Sequence, residues 1–456
     1  MFYYYSIKDV GVKRYFDPLI PTDYSAFYAP VIRKTLEIRP IRAAFSCFAG
    51  FKVTFFHAGM KHVPFCPWYH IKHFIIQIIH YLRSVCKEGD IMLKHKDHFH
   101  GSDLEKIEAI YGIKKEEIVS FSSNVNPLGI SYKLRNTLAH RLDAITTYPD
   151  REYTKLRETI SQYTNAQLEH IIVGNGTSEL ISLFIQTQHP KKALILGPTY
   201  SEYEREIGLA GGISKYYPLD EANNFELDVT AFCDSLNDSI DLLVLCSPNN
   251  PTSNAIPRKQ MRRILDTCLR HGIFVMVDET YVEFADNEKD ITSIPLANFY
   301  TNLIILRGTS KFFAAPGLRL GYAITGNRDV YKSINTRKNP WTINSLAEIA
   351  GQLMFLDEDY IQQTKTLIST ERDRIYRELS GWENVKVYKP SGNFMLMKSL
   401  KEDVTSDVLF DHCIRQKMMI RDCSSFPFLD NSYVRFCFMN PEDNDRLLGA
   451  FAELLK

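Results

Sequence analysis

The sequence predicts an α/β protein built on a mostly parallel sheet with helices on both faces, followed by a smaller C-terminal α/β domain. Two observations carry this. From Met92 onward, short β-branched runs alternate with longer helical stretches. The residues of chemical character then fall directly after the apolar runs, where ligands sit in parallel sheets. The 456 residues are 45% apolar, enough for two or three domains with a large core.

Strands are expected at Ala193–Leu196, Leu242–Cys246, Ile273–Val277 and Leu303–Leu306. Helices are expected at Glu179–Gln188, Arg258–Arg270 and Asp357–Glu378. We divide the chain into an N-terminal arm (92–125), a large domain (126–340) and a small C-terminal domain (341–456). No internal repeat or low-complexity linker interrupts this order.

Residues 1–91 read differently. They are crowded with Phe and Tyr, basic residues outnumber acidic ones, and no period is sustained. Ile71 to Leu82 is apolar but shorter than the ~18 residues a membrane helix needs. His57, His62, Cys66, His70 and His73 are zinc-ligand types, but their spacing matches no standard site, so no metal is expected. Lys87-Glu88-Gly89 can be encoded by AAG-GAG-GGN, which contains a bacterial ribosome-binding sequence a few codons before Met92. Translation is therefore expected to start at Met92, with residues 1–91 being upstream DNA read as protein.

The formal net charge is zero, which points to neither nucleic acid nor anionic membrane as the main partner. Nine cysteines without C-x-x-C pairs suit reduced thiols in a reducing compartment. Met1 to Arg14 has no apolar stretch of signal-peptide kind. A cytoplasmic protein is expected.

Four segments carry chemistry. Gly174-Asn175-Gly176-Thr177-Ser178-Glu179 follows Ile171-Ile172 and opens an apolar helix. Its glycines admit close backbone approach, and the helix start offers free N–H groups to a phosphate. The same residues would also make a plain turn and N-cap. Ser247-Pro248-Asn249-Asn250-Pro251-Thr252 follows a strand and reads equally as a turn. In Val275-Met276-Val277-Asp278-Glu279-Thr280-Tyr281, one acid ends an apolar strand. That acid is either a helix cap or a partner for a cationic ring nitrogen. In Arg307-Gly308-Thr309-Ser310-Lys311, a lysine follows a buried strand and precedes Phe312-Phe313. A lone lysine is ordinarily a surface charge. Pro316-Gly317-Leu318-Arg319 comes next.

Taken together, these segments place at successive strand ends what a pyridoxal-5′-phosphate (PLP) enzyme needs. The chain resembles fold-type-I PLP enzymes of the aspartate aminotransferase class. The resemblance implies that Lys311 holds the cofactor as a Schiff base and later moves protons, and that Asp278 pairs with the pyridine nitrogen. Asn250 and Tyr281 would hydrogen-bond the ring oxygen, and Tyr200, in Gly197-Pro198-Thr199-Tyr200, would stack on the ring. Thr177, Ser178, Ser310 and Arg319 would hold the phosphate. Tyr148, in Tyr148-Pro149-Asp150, would reach the phosphate of a neighbouring subunit, which implies a homodimer with shared active sites. Many relatives have Ser or Thr where Gly308 stands, so one phosphate hydroxyl is missing here.

His100-Gly101-Ser102-Asp103, Ser123-Asn124-Val125-Asn126-Pro127-Leu128-Gly129, Asn339-Pro340-Trp341-Thr342-Ile343-Asn344 and Ile420-Arg421-Asp422-Cys423 sharpen the match. They resemble the L-threonine-O-3-phosphate decarboxylase family, which makes the aminopropanol phosphate of the cobalamin side chain. Histidinol-phosphate aminotransferases are near relatives. The resemblance runs from about His98 to the C-terminus, although relatives often have Gly where Ser102 stands. His100, Asn124, Asn250, Arg421 and Arg435 are the candidate substrate ligands. Two arginines suit a substrate with two anionic ends, because each can grip an oxyanion bidentately. Arg435 could equally be an outward strand residue with a surface partner.

The resemblance favours decarboxylation and leaves transamination as the alternative. The bond at Cα held perpendicular to the cofactor ring breaks, so the outcome depends on how the substrate is oriented. A catalytically silent PLP-binding protein would have lost Lys311 or Asp278, and both are present. A nucleotide-binding module would need a fuller glycine pattern than Gly174-x-Gly176. N-terminal sequencing of the native protein is expected to begin at Met92; a peptide from residues 1–91 would refute that start.

Overall fold

Among the described residues, thirteen strands arise where apolar runs meet turn residues. They are β1 (Val119–Ser120), β2 (Ile171–Gly174), β3 (Lys192–Gly197), β4 (Ile213–Pro218), β5 (Leu242–Cys246), β6 (Phe274–Asp278) and β7 (Leu303–Gly308). After them come β8 (Gly321–Ile324), β9 (Val385–Val387), β10 (Phe394–Ser399), β11 (Met418–Met419), β12 (Arg421–Asp422) and β13 (Tyr433–Cys437). In the computed structural model, residues 103–456 are described. The histidine cluster, Ile71–Leu82 and His100 lie outside the described residues.

The main sheet has seven strands in the order β2-β8-β7-β6-β5-β3-β4. β4, β3, β5, β6 and β7 run parallel, and β8 is antiparallel to both β7 and β2. Alternate residues feed two different cores, as expected for a sheet covered on both faces. Val244, Met276 and Ile304 pack on one face, with Leu180 and Phe184 from the helix Gly176–Gln188. Leu243, Val275 and Leu303 pack on the other.

The expected strands are present, with informative edges. The third is displaced by one residue, so Asp278 is part of the ladder, opposite Cys246 and Leu306. The fourth extends to Gly308, because β8 returns alongside and pairs Arg307 with Tyr322. A second sheet of four antiparallel strands has the order β12-β13-β10-β9. β1 pairs in parallel with β11, tying the start of the described chain to its end. Among the described residues, no helix is long and apolar enough to cross a membrane.

A buried ionic cluster lies beneath the ends of β6 and β7. Arg307 is 2% exposed. Its Nε and Nη2 donate to Glu279 Oε2 at 3.1 and 2.9 Å, Nη1 to Glu288 Oε1 at 3.1 Å, and Nη2 to Thr292 Oγ1 at 2.8 Å. Glu283 is 3.7 Å from Nη1, and Lys365 pairs with Glu288 at 2.9 Å. Two cations thus face three carboxyls, and one proton restores neutrality. Glu283 holds it. Burial pushes its pKa up to about 8 against the pull of Arg307, with Glu288 and Glu279 adding to the rise. Tyr163 and Tyr322 also face this group.

The linkage has a definite sign. A carboxyl whose pKa is raised by folding favours the folded state below its unfolded pKa, and that contribution is lost as pH rises toward 8. Glu283→Gln keeps the shape and removes the titration. Its melting temperature relative to wild type is expected to climb between about pH 4.5 and 8 and then stay level, by on the order of 3 °C in all. A pH-independent difference in calorimetry would refute a protonated Glu283.

Candidate active site

Lys311 follows β7 and is half-buried. Its Nζ donates to Ser123 O at 2.5 Å. Burial, reinforced by the charge of Arg435, lowers its pKa to about 8. Roughly a tenth of the amine is therefore neutral and nucleophilic at pH 7, far more than for an ordinary lysine. The loop around it is pinned by Asn126, whose N–H donates to Lys311 O and whose Nδ2 donates to Phe312 O at 2.8 Å.

Asp278 ends β6 and is buried. Its Oδ2 accepts from Tyr203 OH at 2.7 Å, and its Oδ1 from Thr280 N at 2.9 Å and Thr280 Oγ1 at 2.5 Å. Tyr203 sits in the helix Glu202–Leu209, edge-on to Tyr200 with ring centroids 5.6 Å apart. Burial holds the Tyr200 pKa up at about 12.

The turn from β2 into the helix Gly176–Gln188 lies against Arg319. Gly176 has φ +78°, and a Cβ there would come within 2.5 Å of Arg319 Nη2. Only glycine lets the guanidinium lie over the helix start, beside Thr177 and Ser178. Arg319 itself has φ +58° and donates from Nη1 to Pro316 O at 3.2 Å. Gly308 has a steric explanation too. A Cβ there would lie 3.0 Å from Thr177 Cγ2, so any larger residue requires Thr177 to shift by a few tenths of an ångström. Ser310 is half-buried next to Lys311, and Ser178 is exposed.

Above these strand ends lies a polar cluster. Asn124 has φ +55° and donates from Nδ2 to Tyr281 OH at 3.4 Å. Tyr281 packs edge-on against Phe394 at 4.8 Å, and burial raises its pKa, so it stays protonated. Arg435 is 5% exposed. Its Nη1 donates to Asn250 Oδ1 and its Nη2 to Ser122 O at 2.5 Å, with the guanidinium 5.5 Å from the Phe394 ring. Asn393 Nδ2 donates to Asn124 O at 3.0 Å. Four buried polar atoms here have no partner: Ser122 Oγ, Asn124 Oδ1, Asn393 Oδ1 and Arg435 Nε. Such atoms cost about 1–3 kcal/mol each when left so, and mark a place built to meet a polar ligand.

Arg421 faces Arg435 directly across β12 and β13. Residues opposite one another in an antiparallel pair share a face. Arg421 Nη2 donates to Ser425 Oγ at 2.8 Å, and its guanidinium is 5.3 Å from the Phe426 ring. Burial lowers the Arg421 pKa, and the charge of Arg435 works in the same direction. Tyr148 stands apart from this cluster. It is 78% exposed and packs against Trp341, with ring centroids 4.6 Å apart and planes tilted by 33°.

Sequence reasoning missed Tyr203, Asn126, Asn249 and Asn393. Asn249 Nδ2 donates to Pro198 O and Thr252 Oγ1, and its Oδ1 accepts from Thr199, so it braces the loops carrying Tyr200 and Asn250. Tyr203 carried only a weak signal, an aromatic residue in the first turn of the helix that follows Gly197-Pro198-Thr199-Tyr200. Asn393 carried no local signal.

Comparisons with known proteins follow the same lines. Residues 116–451 match the family model for aminotransferase class I and II. The chain is 30% identical to a threonine-phosphate decarboxylase from Salmonella typhimurium, over 78% of this chain and 96% of that protein. It is also 30% identical to a histidinol-phosphate aminotransferase from Methanococcus aeolicus, over 80% of this chain and 97% of that protein. The crystal structure of the histidinol-phosphate aminotransferase from Clostridium acetobutylicum superposes with TM-score 0.69 at 32% identity, covering 73% of this chain and 98% of that one.

Gly176→Ala tests the cradle. A non-glycine residue at positive φ costs roughly 1–2 kcal/mol, and the added Cβ also displaces Arg319. PLP affinity is expected to fall about tenfold or more, measured by equilibrium dialysis, with the far-UV spectrum retained.

Proposed function

We propose, from the premise that the chain belongs to the class I and II aminotransferase family, that it decarboxylates a phosphorylated amino acid, most simply O-phospho-L-threonine to aminopropanol phosphate. The family is PLP-dependent, and the chain is an enzyme of that kind. Its residues fit the cofactor. The Gly176–Arg319 cradle with Thr177, Ser178 and Ser310 would hold the phosphate. Asp278 would hold a proton at the ring nitrogen, with Tyr203 and Thr280 fixing its carboxylate. Tyr281 and Asn250 would meet the ring oxygen, and Tyr200 the ring face. When bound, PLP supplies an electron sink next to the carbon that bears the substrate amino group.

The observation that carries the reading is the arginine pair. Arg421 and Arg435 face each other, and among the described residues neither makes an ion pair with a carboxylate. Two cations so placed repel until an anion of high charge lies between them. A phosphate monoester, close to dianionic at neutral pH, satisfies both. With both arginines engaged by phosphate, neither clamps the substrate carboxylate in the plane of the cofactor ring. That supports departure of CO2, with Lys311 Nζ delivering a proton to the carbon left behind. Asn124 Oδ1 and Arg435 Nε, both without a protein partner, are placed to meet the substrate's remaining polar groups. The chemistry agrees with the named activity of the Salmonella typhimurium relative, and the product would enter the cobalamin side chain.

The second reading is an aminotransferase of histidinol-phosphate type. The same arginine pair serves a phosphate ester that has no carboxylate, and Lys311 Nζ then takes the Cα hydrogen. Exposed Tyr132, Leu142, Ile145, Tyr148 and Trp341 support a homodimer in which Tyr148 reaches a neighbouring subunit's site.

The purified protein with PLP and O-phospho-L-threonine, and no keto acid, is expected to release CO2 and form aminopropanol phosphate catalytically. Arg435→Gln and Arg421→Gln should each raise KM about 10–100-fold. Failure to release CO2, with amino transfer from histidinol phosphate to the cofactor, would replace decarboxylation by transamination.

A further inference from the structure

One face of the four-stranded sheet carries two rows of cations. In the first row, Lys386 on β9 is opposite Lys398 on β10, which is opposite Tyr433 on β13. In the second, Arg421 is opposite Arg435. Tyr433 and Arg435 are two residues apart on one strand, so both rows project from the same face. Like charges directly opposite one another destabilise a strand pair. The second row lies among the groups around Lys311. The first is partly neutralised from within the protein, by one carboxylate that faces both of its ammonium groups.

Glu221 does this. It lies in the 3₁₀ turn Glu221–Asn223, just after the edge strand β4 of the main sheet. Its Oε1 accepts from Lys386 Nζ at 3.0 Å and Tyr388 OH at 2.8 Å, and its Oε2 from Lys398 Nζ at 2.8 Å. The two ammonium groups also lie over aromatic rings, Lys386 at 5.1 Å from Tyr388 and Lys398 at 5.0 Å from Tyr433. Phe225, a few residues after Glu221, packs edge-on against Tyr388 at 5.0 Å. An open cleft of about 640 Å³ runs beside this contact, lined by Leu219, Glu221, Lys398, Phe428 and Tyr433 among others. The junction between the main sheet and the four-stranded sheet is thus partly solvated here, with one carboxylate bridging it. Burial acts to raise the Glu221 pKa, but hydrogen bonds from Lys398, Tyr388 and Lys386 outweigh it and pull it to about 2. The carboxylate is therefore ionised at any working pH.

We propose that Glu221 is a positioning residue: by docking the Lys386–Lys398 row onto the main sheet, it sets where the Arg421–Arg435 pair stands relative to Lys311. The proposal rests on reading that pair as the ligands of the substrate phosphate. Lys398 and Leu396 are two residues apart on β10, and Leu396 is opposite Arg435. A shift of the first row therefore travels along the strand to the second. Glu221 touches neither substrate nor cofactor in this scheme. Its effect belongs to binding of the phosphate end, not to the bond-breaking step.

Long-range charge and positioning predict opposite signs. Removing an anion near the arginines strengthens the positive field, so a charge effect alone would tighten phosphate binding. Loss of positioning loosens it. The experiment uses the full chain with PLP bound and compares wild type, Glu221→Gln and Arg435→Gln. It measures the Kd of inorganic phosphate and steady-state kinetics with O-phospho-L-threonine. For Glu221→Gln, the phosphate Kd and the KM are each expected to rise about tenfold, with kcat within about twofold and the cofactor absorption spectrum unchanged. Lys398→Met, which removes one of the three contacts, should shift both in the same direction by a smaller factor.

Unchanged or tighter phosphate binding in Glu221→Gln overturns the proposal. So does a fall in kcat accompanied by a changed cofactor spectrum, which would place the effect at the cofactor. If Arg435→Gln also binds phosphate as wild type does, the reading of the arginine pair has failed. If Arg435→Gln loses phosphate and Glu221→Gln does not, only the role of Glu221 has failed.

Discussion

The site depends on a guanidinium that is almost wholly buried. Arg307 is enclosed by Glu279, Glu283 and Glu288, and through Glu288 it is linked to Lys365 on the long helix Glu358–Leu379. An isolated charge in such a place is strongly destabilising, so the cluster must form complete or not at all. Its geometric consequence is local. Arg307 is four residues before Lys311, and Glu279 is next to Asp278. The ion pair between them fixes β6 against β7 at the point where the lysine and the aspartate leave the sheet. The segment from Glu279 to Ser293 is held down by the same carboxylate, through Ser293 N at 2.5 Å. Tyr281 lies within that segment.

On the other face of these strand ends, polarity has a different purpose. Asp278, Tyr203 and Thr280 form a satisfied network, which makes a rigid base for the site. The groups above it are deliberately less satisfied. Arg435 has hydrogen bonds at both terminal nitrogens and none at Nε, and Asn124 and Asn393 each keep an unpartnered carbonyl oxygen. Satisfied below and unsatisfied above is the pattern of a rigid floor with a binding surface facing it. The cations of the four-stranded sheet follow the same division. One row is bridged by Glu221, which offsets one of its two positive charges. The other, Arg421 and Arg435, has no carboxylate partner among the described residues.

Much of this was legible in the sequence, for physical reasons that differ from residue to residue. The strand Leu242–Cys246 was readable because strands covered on both faces are continuously apolar. The helix Gly176–Gln188 was readable from its glycine turn and apolar repeat, though its start lies before Glu179. Lys311 stood out as a charge beside buried Phe312 and Phe313. Gly308 looked like a missing hydroxyl, and only the structure shows that a side chain there would press on Thr177 Cγ2. Asn393 and Glu221 were invisible. Each is an ordinary polar residue between turns, and each acts on partners far away in the sequence.

The sequence by itself determined the element order, the cofactor chemistry and the residues at the strand ends. These follow from local rules, because apolar periodicity, turn residues and helix starts are set by near neighbours. Tertiary structure decided which cations are spoken for. Lys386, Lys398, Arg421 and Arg435 are four basic residues of similar local setting. Strand register places them in two rows, and the end of β4 supplies one carboxylate to the first row alone. Register and long-range charge pairing depend on the whole chain folding at once, so no window of sequence contains them.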